Sequence, residues 1–211
     1  MLAEEAKRIG AWLIHFSTDY VFDGSGDKPW LETDATVPLS VYGVTKLAGE
    51  QAIIASACKH LIFRTSWVYG ARGNNFAKTM LKLAQERDSL KVVNDQMGAP
   101  TGADLLADVT AHAIRTALQK PNVSGLYHLA ASGETSWHEY ACFVIDFARQ
   151  AGLDIKVAQT AIQAVPSSEF VTVAKRPLNS RLNTNILQKT FSLHLPDWQS
   201  GVTRMLVEHL Q

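Results

Sequence analysis

Apolar positions along the chain fall into two rhythms. Short continuous runs occur at 11–16 (AWLIHF), 60–65 (HLIFRT), 90–93 (LKVV) and 125–130 (GLYHLA). They are of strand length and rich in β-branched and aromatic residues, so they predict buried strands. Helical spacing predicts helices over 41–58, about 74–87 and about 102–119. In the third, Leu105, Leu106, Val109, Ala113, Ala117 and Leu118 share one stripe, a core-facing pattern. Ser136-Trp137-His138-Glu139 has capping-box spacing and opens a helix running to about Gln150. Pro196-Asp197 opens a last helix with Val202, Met205, Leu206 and Leu210 as its apolar face. At the start, Leu2, Ala3, Ala6 and Ile9 give a short helix with Gly10 as its C-cap.

Alternating strands and helices argue for an α/β fold with a mainly parallel sheet. Two stretches break the rhythm. Residues 23–40 form a long loop between a strand and a helix, a length associated with function or disorder. Residues 160–185 read as irregular, with Pro166, Pro177 and Asn/Ser-rich turns, and a smaller second lobe is expected at the C-terminal end. A buried parallel strand needs neighbours on both sides and helices on both faces. Only one short helix precedes AWLIHF, so a first part of the sheet is expected to be missing and this strand to be an exposed apolar edge. Poor solubility or a molten state is the consequence expected for the chain alone.

Composition narrows the function. Twenty basic and twenty acidic side chains give a formal charge of zero in 211 residues, against a protein that coats nucleic acid. With 46% apolar and 19% charged residues the chain is globular rather than disordered. No apolar run is long enough to cross a membrane, and MLAEEAKRIG is no secretory leader, which suits a cytoplasmic protein. Cys58 and Cys142 form no paired motif and read as small buried hydrophobes. The seven histidines contain no His-x-x-x-His pair.

The chemistry concentrates in 14–50. The first strand ends in Ser17-Thr18-Asp19-Tyr20, and open α/β sheets bind ligands beyond the carboxyl ends of their strands. Tyr42 and Lys46 stand four apart, which on a helix places them on one face. A phenol, with an ordinary pKa of about 10, needs help to act near neutral pH. An adjacent ammonium favours the phenolate and can also bond a diol such as a ribose. A hydroxyl such as that of Thr18 can hold a substrate oxygen beside the phenol. Together these groups can protonate a carbonyl oxygen while a hydride from a cofactor reaches its carbon. Alone, Tyr-x-x-x-Lys is a weak signal; the strand-end Thr strengthens it.

STDYVFDG, PLSVYGVTKLAGE, FRTSWVYG, NNFAKTML and NDQMGAPTGADLLAD together resemble the extended short-chain dehydrogenase/reductase superfamily. Within it the chain is similar to the dTDP-4-dehydrorhamnose reductase family, and the likeness runs on through KRPLNSRLNT to LPDWQSGVTRML. The resemblance implies an incomplete Rossmann-like doubly wound parallel sheet plus a smaller α/β substrate-binding lobe. Residues 1–72 and 103–131 would be the remainder of the dinucleotide-binding domain, and 73–102 and 132–211 the sugar-nucleotide lobe. It implies reduction of the C4 keto group of dTDP-6-deoxy-L-lyxo-4-hexulose to dTDP-L-rhamnose, with NADPH (or NADH) as cofactor. Thr18, Tyr42 and Lys46 would be catalytic, with Tyr42, Lys46 and Thr65 at the cofactor. Asp19, Trp67, Asn75, Gln96, Pro100, Thr101 and Arg176, with Thr18, would bind the substrate.

Sugar-nucleotide 4,6-dehydratases, by resemblance, place Asp-Glu after the strand-end Thr; here the pair is Asp19-Tyr20, which favours reduction over dehydration. The family's Gly-rich turn for the cofactor pyrophosphate is not found among the thirteen glycines, so weak NADPH binding is expected. The resemblance leaves room for a homodimer and for Mg²⁺ at acidic residues, with Asp104 and Glu208 as the conceivable ligands. The alternatives are a non-catalytic regulatory or partner subunit of the same fold and an inactive C-terminal fragment.

Overall fold

A computed structural model describes residues 1–170 and 176–210. Residues 171–175, within the stretch expected to be irregular, and Gln211 lie outside the described residues. Helix α1 (Leu2–Ile9) ends on Gly10 in the left-handed conformation, as its position predicts. Strand β1 (Trp12–Thr18), helix α2 (Val41–Ser56) and strand β2 (Lys59–Thr65) follow. After β3 (Val68–Tyr69) come α3 (Phe76–Glu86), β4 (Leu90–Val93), β5 (Met97–Gly98) and β6 (Thr101–Gly102). The chain continues through α4 (Ala103–Gln119), β7 (Gly125–His128), β8 (Thr135–Ser136) and α5 (Trp137–Gln150). It closes with β9 (Ile162–Val165), α6 (Asn185–Phe191) and α7 (Trp198–Leu210). No helix among the described residues is long and apolar enough to cross a membrane.

The principal sheet has the order β1-β2-β7, all parallel, with Thr18 opposite Thr65 and Arg64 opposite His128. Successive residues of the central strand serve opposite faces. Leu61 and Phe63 pack with Val109 and Ala113 of α4 and Phe191 of α6. Ile62 packs with Ala3 and Ala6 of α1 and Ile53 of α2 on the other side. Strand β1 has β2 on one flank, and the described residues place no strand on the other. Its residues Trp12 to His15 are only half-buried and Phe16 is exposed, in keeping with the expected edge.

A second body of core surrounds Tyr140 and Trp198, where α3, α5 and α7 meet. Here the irregular reading of 160–185 needs correction. Residues Ile162–Val165 form β9, paired in parallel with β4, and the pair packs on Ala141 and Ile145 of α5. Four residues bounded by Pro166 carry too little periodicity to announce a strand; the partner strand supplies the order. The capping box at Ser136 is present in full, its hydroxyl bonded to the Glu139 amide and the Glu139 carboxylate to the Ser136 amide.

The long 23–40 loop is held by a strap from the C-terminal part. Asn179, almost wholly buried, donates through Nδ2 to Lys28 O at 2.8 Å and Ser25 O at 3.3 Å. Trp30 bridges to Leu182, donates to Asn179 O at 3.1 Å and stacks on Phe22 with ring centroids 4.6 Å apart.

Candidate active site

Strand β1 delivers Thr18 and Asp19 to the end of the sheet. Thr18 Oγ1 donates to Asp19 Oδ1 at 3.0 Å and accepts from the Tyr20 amide at 3.2 Å, which fixes the turn that leaves the strand. Beside it, Ser17 Oγ, Thr65 Oγ1 and Ser66 Oγ are buried and have no hydrogen-bond partner among the described residues. Buried polar groups are nearly always paired. A cluster of orphan hydroxyls at the ends of two parallel strands is therefore a place built for a ligand's polar atoms.

Helix α2 supplies the other wall. Ser40 caps its first turn by accepting from the Gly43 amide at 3.1 Å, so the helix begins one residue before Tyr42. Tyr42 is about half exposed, and its ring meets Tyr20 edge-on with centroids 5.7 Å apart. Lys46, one turn on, donates from Nζ to the carbonyl of Phe16. Thr18 and Thr65 thus end neighbouring strands in register, Tyr42 lies beside Tyr20 just past the end of β1, and Lys46 reaches back to Phe16 of the same strand.

Two buried ionisable groups stand behind this end. Burial pushes the Asp19 carboxyl up to about 6 from 3.8, against the pull of the Ser180 and Thr18 hydroxyls. Burial, reinforced by the Arg64 guanidinium, pushes His128 down to about 3 from 6.5. His128 Nδ1 donates to Trp30 O at 3.0 Å, which sets its tautomer. The two act oppositely on stability. For Asp19 the folded value lies above the unfolded one, so its contribution is full below 3.8 and is lost as pH rises through about 6. For His128 the folded value lies below, so its contribution is full above 6.5 and is lost as pH falls toward about 3. Each changes stability by about 1.4 kcal/mol per pH unit inside its window, and between roughly pH 6 and 4 they cancel. Urea unfolding should show this. Asp19→Asn is expected to lose roughly 2–3 kcal/mol on acidification across that interval, and His128→Gln to gain a similar amount. Parallel stability curves for wild type and both variants would show that neither group titrates as described.

A second part of the site is a cavity of about 320 Å³ lined by Phe76, Met80, Gln96, Trp137, Phe170 and Arg176, with Lys91 and Ser167 also on its wall. Gln96 Oε1 accepts from Trp137 Nε1 at 3.1 Å. Trp67 stacks on Trp137, ring centroids 3.7 Å apart and planes 13° from parallel. Glycine at 98 makes that possible, since a Cβ there would lie 2.6 Å from the Trp67 indole. Arg176, on the cavity wall, carries a charge that is felt at Tyr20, just past the end of β1. Burial raises the Tyr20 phenol, Asp19 adds to the rise, and the Arg176 charge opposes it.

Of the other residues singled out in the sequence, Asn75 caps α3, accepting from the Lys78 amide at 3.0 Å and donating to Gly70 O at 2.8 Å. Thr101 is fully buried, donates to Ala99 O and accepts from the Ala131 amide; Pro100 is buried beside it. None of these three is on the cavity wall. Asp104 pairs with Arg204, and no group of three metal-binding side chains occurs among the described residues. Trp137, Phe170, Lys91 and Ser167 were missed. The only sequence signal at Trp137 was the capping box, which speaks of a helix start and not of a pocket.

A doubly wound sheet whose strand-end Thr meets a Tyr-x-x-x-Lys helix places this chain among the extended short-chain dehydrogenases/reductases. Residues 1–211 match the family model described as RmlD substrate binding domain. The chain therefore belongs to the dTDP-4-dehydrorhamnose reductase family. It is 64% identical over 207 residues to the dTDP-4-dehydrorhamnose reductase of Escherichia coli, covering 98% of this chain and 69% of that protein. The Salmonella typhimurium enzyme of the same name is 63% identical over the same shares. Among solved structures, the Bacillus anthracis dTDP-4-dehydrorhamnose reductase in complex with NADP is 36% identical with a TM-score of 0.87. That alignment covers 98% of this chain and 69% of the Bacillus chain.

Proposed function

We propose that this chain reduces the C4 keto group of dTDP-6-deoxy-L-lyxo-4-hexulose to give dTDP-L-rhamnose, with NADPH as reductant. The observation that carries the reading is the meeting of partnerless buried hydroxyls at the strand ends with Tyr42 and Lys46 on the facing helix. The names of the relatives and the NADP of the Bacillus structure agree with it. Bound at the strand ends, the reduced nicotinamide supplies the hydride that no side chain can deliver.

The chain's own residues do the rest. Thr65, with the neighbouring hydroxyls of Ser17 and Ser66, meets polar atoms of the cofactor, and Lys46 bonds its ribose hydroxyls. Thr18 holds the substrate's carbonyl oxygen, which competes with Asp19 for its hydroxyl proton. Tyr42 gives its phenolic proton to that oxygen as charge develops there. The cavity beyond receives the nucleotide part of the substrate. Gln96 and Trp137, the latter backed by Trp67, offer a flat, partly polar wall, and Arg176 offers a planar fork for diphosphate oxygens. Tyr20 stands where, by resemblance, dehydratases place a second carboxyl, which favours reduction over elimination. In this division 1–72 and 103–131 serve the cofactor, and 73–102 and 132–211 serve the sugar nucleotide.

The test is turnover by the purified chain with NADPH and the keto sugar nucleotide. Loss of NADPH and appearance of dTDP-L-rhamnose in equal amounts are expected. Binding of the sugar nucleotide with no reduction at saturating NADPH would replace this reading with that of a non-catalytic subunit.

A further inference from the structure

Helix α2 carries the proposed proton donor, yet few of its side chains anchor it. Only Gly43, Glu50 and Ile53 are buried. Tyr42, Lys46 and Glu50 follow at intervals of four and so lie along one stripe. Glu50 is engaged by both arms of a guanidinium. Arg64 Nε donates to Oε1 at 2.9 Å and Nη2 to Oε2 at 2.6 Å, with both side chains almost fully buried. Arg64 also lies over the Phe22 ring, 5.0 Å from its centroid. It immediately precedes Thr65, the register partner of Thr18. The pair therefore ties the stripe of α2 to the strand residue next to the reacting end.

A buried ion pair is a poor source of stability, because desolvation offsets most of its attraction. What a bidentate fork supplies is direction and distance. We propose that Arg64 and Glu50 are positioning residues, which set the height of α2 on the sheet and so hold Tyr42 and Lys46 against the strand ends. The proposal rests on the reading of Tyr42 as proton donor, and the experiment separates the two.

His15 of β1 reports on the helix. Its Nε2 has no partner, and it would lie 3.7 Å from a Cβ placed on Gly49 of α2. The ionised groups acting on it are Lys46 and Glu50 of the same helix; burial and Lys46 hold its imidazole below the ordinary value, and Glu50 opposes them. Arg64→Lys preserves every charge and removes only the fork. It is expected to lower kcat about tenfold or more with KM for the sugar nucleotide within about twofold, since small displacements of reacting groups are costly. In a side-chain NMR titration, His15 should move up toward 6.5 as α2 lifts and water reaches it. Wild-type kcat, or an unmoved His15, would overturn the proposal. If the wild-type chain shows no turnover, the function reading fails, and the His15 titration alone decides positioning: movement supports it, no movement overturns it. If Arg64→Lys does not fold, the apolar double variant Glu50→Leu/Arg64→Met takes its place. The same loss of kcat is expected of it, or, without wild-type turnover, faster amide hydrogen exchange along α2 than in wild type, because loss of the Glu50 charge by itself lowers His15; unchanged kcat or unchanged exchange would overturn the proposal.

Discussion

Tyr42→Phe is expected to lower the rate of keto-sugar reduction by roughly 10²–10⁴, the usual worth of a positioned acid. The substitution removes one oxygen and little else. The Tyr42 ring is about half exposed, its hydroxyl makes no hydrogen bond among the described residues, and its edge-on contact with Tyr20 involves the ring alone. The melting temperature should therefore stay within a degree or two of wild type, on the scale by which about 1 kcal/mol moves a chain of this size. KM should change little, because the proton is needed only as charge develops on the substrate oxygen. Initial rates of NADPH loss at saturating sugar nucleotide measure this directly. A loss smaller than about tenfold would remove Tyr42 from the role of proton donor.

Why Tyr42 was visible in the sequence, and Trp137 was not, comes down to the range of the interactions. Thr18, Tyr42 and Lys46 announce themselves locally: one ends an apolar strand, and the other two are spaced for one helical face. The main helices and strands are legible for the same reason. Helices α3, α4 and α5 and strands β2 and β4 fall within a residue or two of the expected bounds, and the capping box fixes the start of α5. Strand β9 was illegible because four residues take their order from β4, some seventy positions earlier. Gln96 and Arg176 of the cavity wall were named through the family resemblance, but Trp137 was illegible for a related reason. Trp67 and Trp137 stack only because Gly98 gives the indole room, a contact among three segments that no periodicity encodes. Asn75 and Thr101, which the family resemblance gives as substrate-binding, also serve as a helix cap and a buried link between loops, roles that small polar side chains fill readily. Asn179 gave no local signal, and it organises the 23–40 loop from the far side of the chain.

Gly43→Ala should be as damaging to turnover as many changes of chemistry, though it adds a single methyl group next to the proposed acid. A Cβ on Gly43 would lie 2.2 Å from the Tyr20 carbonyl oxygen and 2.9 Å from Pro38 Cβ. Both neighbours are fixed. Tyr20 belongs to the turn held by Thr18, and Pro38 leads directly into the Ser40 cap. The clash is therefore relieved by moving the first turn of α2 outward by about 1 Å, a displacement that can cost on the order of 10² in rate. Overpacking of this kind should also lower stability by about 1–3 kcal/mol, since the methyl finds no void to fill. Gly49→Ala is the control. Six positions along the same helix, a Cβ would meet only the His15 ring, at 3.7 Å, an ordinary contact. Alanine there should keep full activity and gain roughly 0.5–1 kcal/mol from its better helix propensity. Rates and melts of the two variants side by side separate position from propensity. A normal rate in Gly43→Ala would mean that α2 can shift without moving Tyr42 off the strand ends, and the close seating of the helix would then be a feature of packing alone.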